Sequence, residues 1–112
     1  MKRVYVIVEG ATEESFVKGP LAETLWPRGV LLTPIILGVP GHKGGRTNYA
    51  RVRKDLLRQL KQDPGAHCST MIDFYALGDG YPGMPTPQGM SQIDKVRRIE
   101  GAIQRDTRRH VQ

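Results

Sequence analysis

Hydrophobic and polar positions change period several times along the chain, and each change predicts an element. Residues 3–8, Arg-Val-Tyr-Val-Ile-Val, form a near-continuous β-branched run of strand length. Such runs fit a strand buried on both faces, as in a parallel sheet. Thr12 then predicts a helix N-cap, with Glu13 and Glu14 in the first turn, where the helix dipole favours anions. Phe16, Val17, Leu21 and Leu25 keep helical spacing as far as Trp26. Gly19-Pro20 interrupts them, which predicts a kink or a second helix with Pro20 in its first turn. Residues 30–37 read as a second strand, and Pro34 assigns it to a sheet edge or a bulge.

A four-glycine loop, Gly-Val-Pro-Gly-His-Lys-Gly-Gly-Arg-Thr-Asn, leads to a second helix from about Tyr49 to Lys61, capped by Thr47 or Asn48. Its apolar stripe is Tyr49, Val52, Leu56 and Leu60, and its basic stripe is Arg51, Lys54, Arg58 and Lys61. Residues 70–77, Thr-Met-Ile-Asp-Phe-Tyr-Ala-Leu, predict a third strand with Asp73 inside it. After a loop rich in Gly and Pro, Ser91 and Asp94 resemble a capping box. Val96, Ile99 and Ile103 give the helix that follows its apolar face. The alternation of strand and helix predicts a Rossmann-like, three-layer α/β fold: a mostly parallel sheet of about three or four strands with helices on both faces. Ligands of such sheets gather beyond the C-terminal strand ends.

Composition narrows the class. The chain of 112 residues fits one domain. An apolar content of 38% with 25% charged residues reads as globular. No apolar run is long enough for a membrane span, and Glu9 ends the N-terminal apolar run too early for a secretory signal. The single Cys68 suits a reducing compartment, so the expected location is cytoplasmic. The net charge of +6 is unevenly spread: residues 42–61 carry seven basic side chains against one acidic, while residues 62–90 hold Asp63, Asp73 and Asp79 and no Lys or Arg. An acidic segment between basic ones suits a phosphate-bearing partner near a cation site, although solvated helix faces produce the same pattern.

The candidate chemistry centres on carboxylates. Glu9 falls where the first strand ends and Glu13 opens the next helix, with Gly10 removing side-chain bulk between them. Two carboxylates across such a turn can share a hard cation, as Mg²⁺ and Mn²⁺ prefer. The competing reading is that Glu13 and Glu14 only complement the helix dipole. Asp73, if inside an apolar strand, is costly to desolvate unless paired with a cation, a metal or several donors. In the glycine loop, His42, Lys43 and Arg46 could meet an anion, but the P-loop pattern is absent. His42, His67 and His110 lack zinc spacing.

These residues carry a family resemblance. Val-Ile-Val-Glu-Gly-Ala-Thr-Glu-Glu-Ser-Phe, followed some sixty residues on by Met-Ile-Asp-Phe-Tyr-Ala-Leu, resembles the TOPRIM domain of topoisomerases, primases and OLD-type nucleases. It is most similar to a bacterial TOPRIM-like family of unknown function that opens Val-Glu-Gly-x-Thr-Glu. The resemblance implies that Glu9 matches the TOPRIM glutamate, Asp73 the first aspartate of its pair, and Glu13 the second acid of the OLD-type motif. Tyr75 stands where the second aspartate belongs, and Asp79 is the substitute within reach. The resemblance spans residues 1–112 as a single domain and implies that the chain is the N-terminal part of a longer one.

The expectation is therefore a domain binding Mg²⁺ or Mn²⁺ and acting on nucleic-acid phosphodiesters, leaning to a metal-dependent nuclease-like hydrolase. Glu9 and Asp73 would be the principal ligands, with Glu13 and Asp79 assisting. His42, Lys43, Arg46, Arg51, Lys54, Arg58 and Lys61 would hold phosphates. By the same resemblance an ATPase partner is implied, and the open sheet edges suggest a homo-oligomer. Two rivals stand beside this reading: a catalytically inactive module that binds nucleic acid or protein, and a Rossmann-like nucleotide sensor using the glycine loop.

Overall fold

The computed structural model describes residues 1–37, 48–73, 77–78 and 80–108. Strand β1 (Lys2–Val8) is the centre of a three-stranded sheet of order β2-β1-β3, with β2 (Val30–Ile36) and β3 (His67–Met71) both parallel to it. The expected parallel α/β architecture is therefore present. Val6, Ile7 and Val8 are buried because the central strand is covered on both faces. Pro34 lies in an edge strand, where its missing N–H costs no ladder bond on the outer side.

Each face of β1 seeds its own core. Val6 and Val8 pack with Val17, Leu21 and Met71, on the side covered by α1 (Ala11–Phe16) and the turns after it. Ile7 points the other way and packs with Leu37, Val52, Leu56 and Tyr81. That side carries α3 (Tyr49–Gln62) and α4 (Gln92–Arg108). The Tyr49, Val52 and Leu56 stripe is thus core.

Several boundaries differ from the sequence expectation. The residue capping α1 is Gly10 rather than Thr12, its backbone is extended (φ −164°), and no side chain caps the helix. Pro20 neither breaks nor sharply ends the helix. It sits in a π-helical turn, Val17–Leu21, where the Ala22 N–H reaches back to the Val17 carbonyl, before α2 (Ala22–Leu25) resumes the α-helix. The wider turn accommodates a ring that would otherwise clash with the preceding turn. Asn48 caps α3, its Oδ1 accepting from the Arg51 N–H at 3.0 Å, and Ser91 Oγ accepts from the Asp94 N–H at 3.1 Å. The third strand is shorter than expected. It ends at Met71, opposite Val8, where β1 itself ends, so Asp73 lies beyond the strand and is exposed.

The N-terminal end of the sheet is closed by a cluster the sequence did not suggest. Asp63 accepts from both terminal guanidinium nitrogens of Arg3, at 2.7 and 2.8 Å, and from the Tyr5 hydroxyl at 3.0 Å. This ties the turn before β3 to the start of β1. No helix among the described residues is long and apolar enough to cross a membrane.

Candidate functional site

Two of the expected acidic residues come together at the C-terminal rim of the sheet. Glu9 follows the last residue of β1, and its Oε1 accepts a hydrogen bond from the backbone N–H of Asp73 at 2.9 Å. An aspartate carboxylate lies within about 4 Å of its own backbone nitrogen, so the two carboxylates stand within about 7 Å of each other. Sixty-four residues separate them in sequence; the register that ends β1 and β3 together brings them close. The desolvation argument for Asp73 does not hold, because the residue is exposed. Its position beside Glu9 comes instead from the strand exit.

Glu13 turns back toward the same rim. A Cβ built on Gly10 would lie 3.6 Å from Glu13 Oε2, which puts that carboxylate over the Gly10 backbone. The contact is an ordinary one, so the expectation that glycine is needed there to remove bulk is not met. Glu14 pairs with Lys18 at 3.7 Å one turn on, as a solvated helix pair. Asp79 and the loop residues His42, Lys43 and Arg46, like Phe74 and Tyr75, lie outside the described residues. Among the described residues, no group of three or more His, Cys, Asp or Glu side chains is placed to hold a metal ion.

Beneath the rim lies an aromatic and acidic layer that sequence reasoning missed. Tyr81 is 3% exposed and packs on Ile7, which shares a face of β1 with Glu9. Burial, and then the Glu9 carboxylate, push the Tyr81 hydroxyl up to about 12. Its ring meets Tyr49 at 5.5 Å between centroids, tilted by 56°. The Tyr49 hydroxyl donates to Asp106 Oδ2, which also accepts from Arg53 Nε at 3.1 Å, and Tyr49 ionises well above its usual range because of burial and that carboxylate. Asp106 thereby joins α3 to α4. A signal for it was present: after Ile99 and Ile103, Asp106 falls on the apolar stripe of its helix, where an acid needs a partner.

The loop carrying Tyr81 is fixed by Gly83. Its φ of +86° suits glycine, and a Cβ there would come within 3.2 Å of the α4 backbone at Arg98 and Ile99. Arg98 Nε donates to the Gly83 carbonyl at 2.8 Å and seals that approach.

The basic stripe of α3 is not uniform. Arg58 is held by Asp55, which is only 8% exposed. Lys54 and Lys61 are exposed and Arg51 is half-buried. The N-terminus of α3 packs beside Tyr81 through Tyr49, so along the helix Arg51 is the stripe residue closest to that end. Lys61 lies ten residues further along, about 15 Å down the helix. Cys68 is half-buried and its thiol is pushed up by burial, which makes it a poor nucleophile.

Fold and rim together define a small parallel α/β domain of Rossmann-like build, with a pair of carboxylates where β1 and β3 end. The chain belongs to the family described as Domain of unknown function (DUF4276), whose sequence profile matches residues 8–112. No curated protein and no solved structure matches it.

Proposed function

We propose that this chain is a TOPRIM-like domain that binds a divalent metal and acts on nucleic-acid phosphodiesters. The observation that carries the reading is the hydrogen bond from the Asp73 N–H to the Glu9 carboxylate, which joins two acids at the C-terminal rim of a parallel sheet. The oxygen donor set suits Mg²⁺ or Mn²⁺. Mg²⁺ commonly keeps several waters and takes only one or two protein carboxylates, so two acids on a partly exposed rim are compatible with it. Glu9 and Asp73 would hold the ion, with Glu13 and Asp79 as supporting acids. A bound ion would polarise a phosphoryl oxygen and lower the pKa of a bound water. Arg51, the stripe residue closest to the N-terminal end of α3, would hold the phosphate beside the scissile one. Lys54 and Lys61 would follow the backbone away from it, with Arg58, Lys43, Arg46 and His42 in lesser or loop-borne roles. An ATPase partner remains part of this reading by resemblance to OLD-type systems.

A non-catalytic binding module is the second reading. It is favoured by the lack, among the described residues, of any three-donor cluster. Incubation with labelled single- and double-stranded DNA and RNA, with Mg²⁺, Mn²⁺ or EDTA, separates the two. The first reading expects metal-dependent cleavage that disappears in Glu9→Gln and Asp73→Asn. Binding that is indifferent to metal, with no cleavage under any condition, would favour the second.

A further inference from the structure

Met71 pairs with Val8, and that is the last rung of the β1–β3 ladder. Ile72 and Asp73 lie beyond it, so the sheet alone does not fix the final step from β3 to Glu9. Other contacts hold this segment. Ile72 is half-buried, and so is Leu77, four residues past Asp73. Both pack against the core cluster that contains Ile7, Val52 and Tyr81. Four residues of chain cover at most about 14 Å, so Asp73 is tethered on both sides to one cluster. Tyr81 belongs to the same connection between β3 and α4. It is 3% exposed, and its ring meets Tyr49 at the start of α3. Its N–H donates to the Gly78 carbonyl at 3.2 Å, and its carbonyl accepts from the Met84 N–H at 3.1 Å. Just past it, Gly83 lies against the α4 backbone, where Arg98 Nε donates to the Gly83 carbonyl at 2.8 Å.

We infer that Tyr81 is a positioning residue for the rim: its buried ring, clamped to α4 through Gly83, supports Ile72 and Leu77 and so holds the Asp73 N–H where Glu9 accepts from it. A buried tyrosine ring is a large apolar anchor, and its removal leaves a void that neighbouring side chains enter as far as their backbone allows. Neither Ile72 nor Leu77 lies in a strand or helix, so they shift into such a void more readily than the members of β1 and α3. Asp73, next to Ile72, moves with them. The packing of α4 thereby reaches the rim through Gly83 and Tyr81, although Gly83 is ten residues from Asp73 in sequence. The consequence for cation affinity rests on the metal reading proposed for Glu9 and Asp73; the positioning itself is a property of the chain without metal.

The test is the exchange rate of the Asp73 amide by NMR, with the Val6–Val8 amides of β1 reporting global opening. Tyr81→Ala should speed exchange at Asp73 by about five- to tenfold, which corresponds to the loss of one net hydrogen bond. Tyr81→Phe keeps the ring and should stay within about twofold of the parent at Asp73. Gly83→Ala acts from the α4 side without removing a core atom, and should speed exchange at Asp73 by about threefold or more. If Tyr81→Ala does not fold, Gly83→Ala decides alone. Asp63→Ala loosens the opposite end of the sheet; it should speed the β1 amides and leave Asp73 within about twofold, because an exposed residue exchanges by local opening. The Mn²⁺ affinity of Tyr81→Ala should fall by up to the same factor as the pairing, since only the paired fraction is competent to bind. An Asp73 amide that is unprotected in the parent, or unchanged in the folded Tyr81→Ala and Gly83→Ala proteins, would overturn the inference. So would an equal acceleration in Asp63→Ala or in Tyr81→Phe. A parent that binds no Mn²⁺ while the amides behave as stated would sink the cation reading and uphold the positioning.

Discussion

Asp63 offers a perturbation that tests the scaffold without touching the rim. Its carboxylate is 17% exposed and receives a two-pronged bond from Arg3, whose side chain is 50% exposed, as well as the Tyr5 hydroxyl. An ion pair with one solvated partner contributes less than about 1 kcal/mol, and a half-buried acceptor lost from a hydrogen-bonded cluster adds up to about another 1 kcal/mol. Asp63→Ala should therefore cost about 1–2 kcal/mol in urea unfolding, with a melting temperature lower by about 4–8 °C for a domain of this size. Asp63→Asn keeps an acceptor for Tyr5 and loses the charge, so its cost should stay below about 1 kcal/mol. The gap between Asp63→Asn and the parent should also narrow near 1 M salt, where screening acts within about 3 Å. An Asp63→Ala protein that melts within about 1 °C of the parent would show that the cluster is solvated and that the turn before β3 is held otherwise.

Further outcomes follow from the same contacts. Burial and the Glu9 carboxylate push the Tyr81 hydroxyl up to about 12 from 10.0, so its contribution is fully present below pH 10 and is lost as pH rises toward 12, by up to about 3 kcal/mol; Tyr81→Phe should flatten this alkaline loss in melts between pH 8 and 11, and an unchanged profile would refute the assignment. Gly83→Ala should cost about 1–3 kcal/mol through its positive φ and the α4 backbone, whereas Gly10→Ala should cost less than about 1 kcal/mol; comparable losses would contradict the geometry of both turns. If Arg51 meets phosphate, Arg51→Ala should flatten the log–log salt dependence of nucleic-acid binding by about 0.7–0.9; Arg58→Ala, whose partner is Asp55, should lower stability and flatten that slope by less than Arg51→Ala does.

Much of the fold was legible because burial is written into period. The β-branched run of β1, the Tyr49–Val52–Leu56 stripe and the proline of an edge strand each state an environment that the structure supplies. The end of β3 was not legible. Residues 70–77 are apolar enough to continue, but a strand stops where its neighbour stops, and β1 ends at Val8. That is a property of register, which lies between segments rather than within one. Glu9 could be singled out because it closes an apolar run. Its meeting with Asp73 needed the same register. The layer of Tyr49, Tyr81, Arg53 and Asp106 was hidden for a related reason: its members come from two helices and a loop, and only Asp106 departs visibly from its local pattern.

The central claim is that Glu9 and Asp73 form a site for a divalent cation, and thermal melting under Mn²⁺ or Mg²⁺ titration tests it most directly. Glu9→Gln is the informative variant, because a glutamine oxygen can still accept from the Asp73 N–H while the charge is gone. Its melting temperature without metal should stay close to that of the parent. The parent should then gain about 2.7 kcal/mol at a metal concentration one hundred times its Kd, and both Glu9→Gln and Asp73→Asn should gain little or nothing. A parent that shows no metal-dependent shift, or variants that shift as much as the parent, would contradict the claim and leave Glu9 as a carboxylate that fastens the exit of β3 to the end of β1.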